Sequence, residues 1–194
     1  MMNNPIERFS EWFEAAKNQP GIINPNAMTL ATATRAGLPS ARVVLLKGFD
    51  ERGFTFFTNM KSPKSLELKE NPQAALCFYW ATLGRQIRIQ GKAEQVSDKE
   101  ADEYYNSRPF ISRIGAWASE QSQPLASREV LMDKVAELEK KYSEANPPPR
   151  PKHWSGWRVK PDLIEFWQEG EYRLHDREVY TRDGNSWKIQ RIYP

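Results

Sequence analysis

Apolar and polar positions along this 194-residue chain follow two periods, 3.6 residues in some stretches and two in others, marking helices and strands. Ile6, Phe9, Phe13 and Ala16 share a helical face. Asn4-Pro5-Ile6-Glu7 opens that helix with a capping asparagine, a first-turn proline and a glutamate completing a capping-box-like pair. Strand-like segments follow at about 28–34, 41–47, 54–58, 74–80 and 85–96. Turn signals at Arg35-Ala36-Gly37 and Asp50-Glu51-Arg52-Gly53 separate them. Five closely spaced strands predict an antiparallel barrel, because closure removes exposed edges.

Helices punctuate this pattern. Ser62-Pro63-Lys64 starts a short one running to about Glu70, and Ser97 with Glu100 boxes the start of another that Pro109 ends. A third covers about 127–144, where Leu131, Val135, Leu138 and Tyr142 form a stripe expected to be core or dimer contact. The proline-rich run at 146–152 is a stiff connector. It leads to strands at 156–159, 163–168, 173–180 and 187–192, the last hairpin closed by Asp183-Gly184 or Gly184-Asn185. The expected class is mainly β with peripheral helices (α+β), as a single domain over 1–194 with an N-terminal helix within 1–20 and C-terminal strands in 156–194.

Composition narrows the function. With 39% hydrophobic and 27% charged residues the chain is expected to be soluble and globular, and no apolar run approaches a membrane span. Met1-Met2-Asn3-Asn4-Pro5 lacks the basic start and apolar core of a signal peptide. Cys77 is the only cysteine, so no disulfide forms within the chain and a reducing cytoplasm is the expected setting; Cys77 itself reads as a small buried hydrophobe. The net charge of +3 is scattered rather than gathered into a basic arm, which argues against nucleic acid and for a small anionic ligand.

The run from Glu165 to Arg177 carries the most chemistry. It reads as a hairpin whose first strand ends at Gln168, with Gly170 in a short loop and the return strand beginning near Tyr172. Alternation would then place Arg173, His175 and Arg177 on one face, and a loop of 169–171 would pair Trp167 with Arg173. Two guanidinium groups, an imidazole and an indole make a poor core, and the cations repel unless an anion or an electron-rich ring sits among them. A solvated hairpin face with a half-buried Trp167 is the plainer alternative.

Other positions point to phosphate. Arg42-Val43-Val44-Leu45-Leu46-Lys47 carries a cation at each end, on opposite faces by parity, where both could equally snorkel into solvent. Lys64 falls in a helix's first turn, where free amides and the dipole already favour an anion by roughly 0.3–1 kcal/mol. Tyr104 and Arg108 are four residues apart, hence expected on one helical face, with Ser112 just beyond Pro109. A phenol, a guanidinium and a hydroxyl suit a phosphate ester, although an ordinary surface cluster would look the same. Gln86, Arg88 and Gln90 alternate on one strand face, natural against a polar heterocycle, and Gln121-Ser122 add donors in a loop. No dinucleotide fingerprint, phosphate loop, metal-ligand spacing or nucleophile elbow is present, so no metal is expected. What remains fits a phosphorylated cofactor meeting a phosphorylated substrate.

On these residues the chain resembles the pyridoxine/pyridoxamine 5′-phosphate oxidase family from about Asn24 to Pro194. Ile164-Glu165-Phe166-Trp167-Gln168 with Arg173-Leu174-His175-Asp176-Arg177 is the most specific block. Arg42–Lys47, Thr58-Asn59, Ser107-Arg108-Pro109, Ile114-Gly115-Ala116-Trp117 and Gln121-Ser122 support it. The resemblance implies an FMN-binding split β-barrel acting as a homodimer with flavin between subunits. It assigns FMN contacts to Arg42, Val43, Val44, Leu45, Leu46, Lys47, Phe57, Thr58, Lys64, Gln86, Gln121, Ser122, Trp167 and Arg177. It assigns the substrate phosphate to Lys47, Tyr104, Arg108 and Ser112, and places Arg173 and His175, with Leu174 between them, at the pyridine ring as catalytic residues.

The implied reaction passes a hydride from substrate C4′ to flavin N5; dioxygen then takes the electrons to give hydrogen peroxide, and an amine substrate releases ammonia. Two departures stand out: Pro63 replaces an arginine common in the family, with Lys61 nearby, and Phe57 replaces a frequent tyrosine. The alternatives are a related flavoprotein acting on another substrate, such as a phenazine precursor, or an FMN- or pyridoxal-phosphate-binding protein without turnover.

Overall fold

A computed structural model describes residues 4–194; the signal-peptide reading of residues 1–3 lies outside it. Two compact units emerge, one formed by residues up to 56 with 67–94 and 158–194, the other by 57–66 and 95–157.

The first unit holds most of a nine-stranded sheet, the ends of β4, β6 and β7 belonging to the second. Its strands are β1 (Ala27–Ala33), β2 (Pro39–Leu45), β3 (Gly48–Asp50), β4 (Gly53–Asn59), β5 (Gln73–Trp80), β6 (Arg85–Gln95), β7 (Trp154–Gln168), β8 (Asp176–Asp183) and β9 (Ser186–Ile192). They run in the order β2-β1-β5-β6-β7-β4-β3, with β8 on β7 and β9 on β8. Alternation decides the faces. Leu76 and Phe78 of β5 and Ile87 and Ile89 of β6 point inward, while Gln86, Arg88 and Gln90 point out. The inner face is closed by α1 (Pro5–Asn18), started by Asn4, whose side chain accepts from the Ile6 amide at 2.9 Å. Phe9 of α1 is fully buried, edge-on to Phe49, Phe54 and Phe78 at 4.8–5.2 Å. Gly91 lets β6 and β7 meet, since a Cβ there would strike the Lys160 carbonyl.

The second unit carries helices α3 (Asp98–Asn106), α4 (Phe110–Ala118) and α5 (Arg128–Lys141), together with the first turn of α2 (Pro63–Glu70). The expected capping box of α3 forms: Ser97 and Glu100 satisfy each other's amides at 3.3 and 3.1 Å. Among the described residues no helix is long and apolar enough to cross a membrane.

Several expectations are corrected. The strands read at 156–159 and 163–168 are one strand, β7, which continues through Pro161. Pro109 does not stop α3, which ends at Asn106; it sits at the start of α4, where a missing N–H costs nothing. The return strand of the signature hairpin begins at Asp176, not Tyr172, and Trp167 pairs with Arg177, not Arg173. Residues 171–173 form a 3-10 turn with Tyr172 at φ 55° and Arg173 at φ 64°, which takes up the chain read as strand. Arg173 and His175 therefore owe their positions to a coiled loop, not to strand alternation.

Candidate active site

A cleft of about 380 Å³ opens in the second unit, lined by Phe57, Thr58, Arg108, Ser112, Gln121 and Trp154 among others. The end of β4 supplies Phe57 and Thr58, and the start of α4 supplies Ser112. Lys64, buried in the first turn of α2, directs its ammonium to Thr58 Oγ1 (3.4 Å), Ser62 Oγ (3.3 Å) and Gln121 Oε1 (3.1 Å). Thr58 donates to the same Gln121 oxygen at 3.0 Å. Thr58, Lys64 and Gln121 are thus brought together. Ser122, at φ 67°, instead lines a neighbouring groove that Gln121 also borders.

Arg108 is the most exacting residue of the cleft. Its Nη1 is buried without a hydrogen-bond partner, and among the described residues it makes no ion pair. Burial pushes its pKa down; the neighbouring Tyr104 and Tyr105 oppose the shift and the charge of Arg113 adds to it. Such a donor costs roughly 1–3 kcal/mol while unmet. The shared helical face expected for Tyr104 and Arg108 does not exist, because α3 ends between them. An aromatic column brings them together instead. Tyr104 stacks on Phe57 at 4.1 Å, Phe57 on Trp154 at 5.2 Å, and the Arg108 guanidinium lies 4.9 Å from the Trp154 ring.

The first unit carries the remaining residues. Arg42 of β2 reaches Ser40 Oγ at 2.5 Å and Glu67 at 3.3 Å, and also bonds Thr32. Val43 and Leu45 are exposed, Val44 is half-buried, and Leu46 is buried just past the strand. Lys47 lies beyond the end of β2, its amide bonded to the Thr55 carbonyl at 2.8 Å, and borders an apolar pocket with Phe13 and Phe49. Gln86 is half-buried on the outer face of β6. Glu165, only 4% exposed, joins Arg88 (3.0 Å) to Arg177 (2.7 Å), and Arg177 also donates to the Tyr193 carbonyl at 3.1 Å. The rings of Trp167 and His175 lie 4.5 Å apart. The Gly170 amide donates to His175 Nδ1 at 3.2 Å, so the neutral imidazole carries its proton on Nε2. Arg173 and Leu174 stand exposed on the loop.

Glu165, Glu67 and Trp154 are absent from the sequence-derived set. Glu165 left a trace, a carboxylate between the apolar Ile164 and Phe166 in a buried strand, which demands cationic partners. Within the cleft, an ammonium at a helix start with hydroxyl and amide neighbours is a donor set that fits a phosphate group.

Residues 15–142 match the family described as pyridoxamine 5′-phosphate oxidase, and residues 154–194 match the pyridoxine 5′-phosphate oxidase C-terminal dimerisation region. The chain belongs to the pyridoxamine 5′-phosphate oxidase family. Within it, the pyridoxine/pyridoxamine 5′-phosphate oxidase of Myxococcus xanthus strain DK1622 is 56% identical, covering 98% of this chain and 92% of its own. That of Rubrobacter xylanophilus is 53% identical, with coverages of 98% and 87%. Among solved structures, PhzG from Burkholderia lata 383, in complex with tetrahydrophenazine-1-carboxylic acid, superposes with a TM-score of 0.93 at 36% identity, covering 100% of this chain and 94% of that one. A pyridoxamine 5′-phosphate oxidase-related, FMN-binding protein from Nostoc punctiforme shares the fold, with a TM-score of 0.78 at 17% identity over the full length of both chains. The resemblance read from the sequence and the class it implied, mainly β with peripheral helices as a split barrel, both hold.

Proposed function

We propose that this chain oxidises pyridoxine 5′-phosphate, pyridoxamine 5′-phosphate or both to pyridoxal 5′-phosphate, with FMN as cofactor and dioxygen as electron acceptor. The observation that carries the reading is Arg108 Nη1, a buried charged donor without a partner in a cleft that also presents Ser112. A phosphate ester meets that donor and offsets the cost of burying it. The names of relatives at 53–56% identity supply the substrate class.

In this reading Tyr104, Arg108, Ser112 and Lys47 hold the substrate phosphate. Lys64, Thr58 and Gln121 hold FMN, together with the backbone and side chains of Arg42–Lys47, Phe57, Gln86, Ser122, Trp167 and Arg177. FMN, when bound, would supply the redox chemistry, as acceptor of the hydride from substrate C4′ with dioxygen and two protons as the final sink giving hydrogen peroxide. The protein's part is alignment and charge. His175, its Nδ1 occupied by the Gly170 amide, presents an Nε2–H donor, and Arg173 extends a guanidinium from the exposed turn. The match to a dimerisation region supports a homodimer, and we place FMN at its subunit interface; a reducing cytoplasm suits the single cysteine.

The likeness to PhzG favours a second reading, oxidation of a phenazine precursor. Arg108 weighs against it, because a substrate without phosphate leaves the buried donor unmet. Anaerobic titration of the FMN-loaded protein with pyridoxine 5′-phosphate, followed by flavin absorbance, separates the two. Bleaching by the phosphate ester but not by pyridoxine, reversed by air with pyridoxal 5′-phosphate formed, is expected. Flavin that stays oxidised with the ester sinks the proposal.

A further inference from the structure

A guanidinium drawn even partly out of water ordinarily keeps a carboxylate beside it, because the cost of desolvating an unpaired charge is hard for packing to return. Arg108 has none among the described residues. What it has is the face of Trp154 at 4.9 Å, with Tyr105 further off at 5.8 Å. A π-face attracts the cation without using a single N–H and without cancelling its charge. A carboxylate in that place would do both, and would then compete with any anion entering the cleft.

We infer that Trp154 is a positioning residue for phosphate recognition: its indole holds the Arg108 guanidinium, leaving charge and donors to the ligand. The inference rests on the phosphate reading of the cleft and adds to it the means by which the cation is kept available.

Trp154 is built to stay still. It is 7% exposed, its ring lies parallel to Phe57 (5.2 Å, 9°), and Tyr105 meets it edge-on at 5.2 Å. Its amide donates to the Pro151 carbonyl at 2.9 Å, and its own carbonyl accepts from Arg150 Nη1 at 2.9 Å. Arg150 is in turn fixed by Asp98 (2.8 Å) and Asp102 (2.6 Å), both on α3. The backbone of Arg108 is gripped separately, its carbonyl accepting from Arg113 Nε at 2.9 Å. The indole therefore sets the side chain of Arg108 and not its main chain.

The test compares wild type, Trp154→Phe and Trp154→Leu as holoenzymes. Three quantities are measured: KM and kcat for pyridoxine 5′-phosphate, the competitive inhibition constant of inorganic phosphate, and phosphate binding by calorimetry. Loss of a partly desolvated cation–π contact predicts that Trp154→Leu raises KM and both phosphate constants about 5–30-fold, with kcat within about twofold. Trp154→Phe, which keeps a ring in the column, raises them about 2–5-fold. A residue that only fills space would lower melting temperature and active fraction while leaving the phosphate constants of the folded protein unchanged. Unchanged constants in folded Trp154→Phe overturn the inference, and that variant decides alone should Trp154→Leu not fold. If wild type itself neither binds phosphate nor prefers the ester to pyridoxine, the phosphate reading of the cleft has failed instead.

Discussion

Replacing Arg108 with methionine sets stability against ligand affinity. Methionine keeps an unbranched chain of similar reach but carries neither charge nor unmet donor. Removing a buried donor without a partner returns roughly 1–3 kcal/mol, while losing the contact with Trp154 forfeits about 0.5–2 kcal/mol. The two ranges net to between about −1 and +2.5 kcal/mol, centred near +0.75, so without ligand Arg108→Met should melt about 1.5–3 °C above wild type, at roughly 2–4 °C per kcal/mol for a chain of this size. Phosphate should reverse the order. At a hundred times its dissociation constant it stabilises wild type by about 2.7 kcal/mol, and it should leave the variant almost unmoved. Thermal scans of both proteins across a phosphate series give the crossing directly. A variant several kcal/mol less stable without ligand, and raised by phosphate as much as wild type, would show that Arg108 holds the fold and not a ligand.

Three further perturbations probe other links. Arg173→Ala should lower turnover about 100-fold while changing FMN affinity, read by flavin fluorescence, less than threefold; equal losses in both would count against its place at the substrate ring. Gly91→Ala drives a methyl into the Lys160 carbonyl and should cost about 3 kcal/mol or more, so an unshifted urea midpoint refutes the close approach of β6 and β7. Burial tends to raise the Glu67 pKa, but hydrogen bonds from Thr32 and Ser40 and the charge of Arg42 outweigh it and hold the carboxyl below its ordinary value. A lowered folded pKa means stability that is present above the unfolded value, about 4.3, and is lost as pH falls through the folded one. The stability gap between wild type and Glu67→Gln should shrink over that acid window, and a gap that grows there contradicts the assignment.

The sheet was legible because burial writes itself into alternation: Leu76 and Phe78, then Ile87 and Ile89, could face only inward. α4 was missed because the proline that starts it reads equally well as one that ends α3. The signature loop was misread for a different reason. Tyr172 and Arg173 adopt left-handed backbone without being glycine or asparagine, and nothing local in the sequence announces that. In the site, residue types that bind phosphate could be picked out one at a time from helix and strand position. Their partners could not: Glu67 and Arg42 are 25 residues apart, and local periodicity says nothing about contacts at that range.

The bond between the Gly170 amide and His175 Nδ1 ties the orientation of one side chain to the shape of the main chain. With Nδ1 committed to the main chain, only Nε2 is left to face a ring or a ligand. The same bond is one of the restraints on a turn holding two residues in left-handed backbone. The imidazole thus pegs the loop from which Arg173 projects, and His175→Phe, which cannot accept that bond, should exchange its Gly170 amide faster.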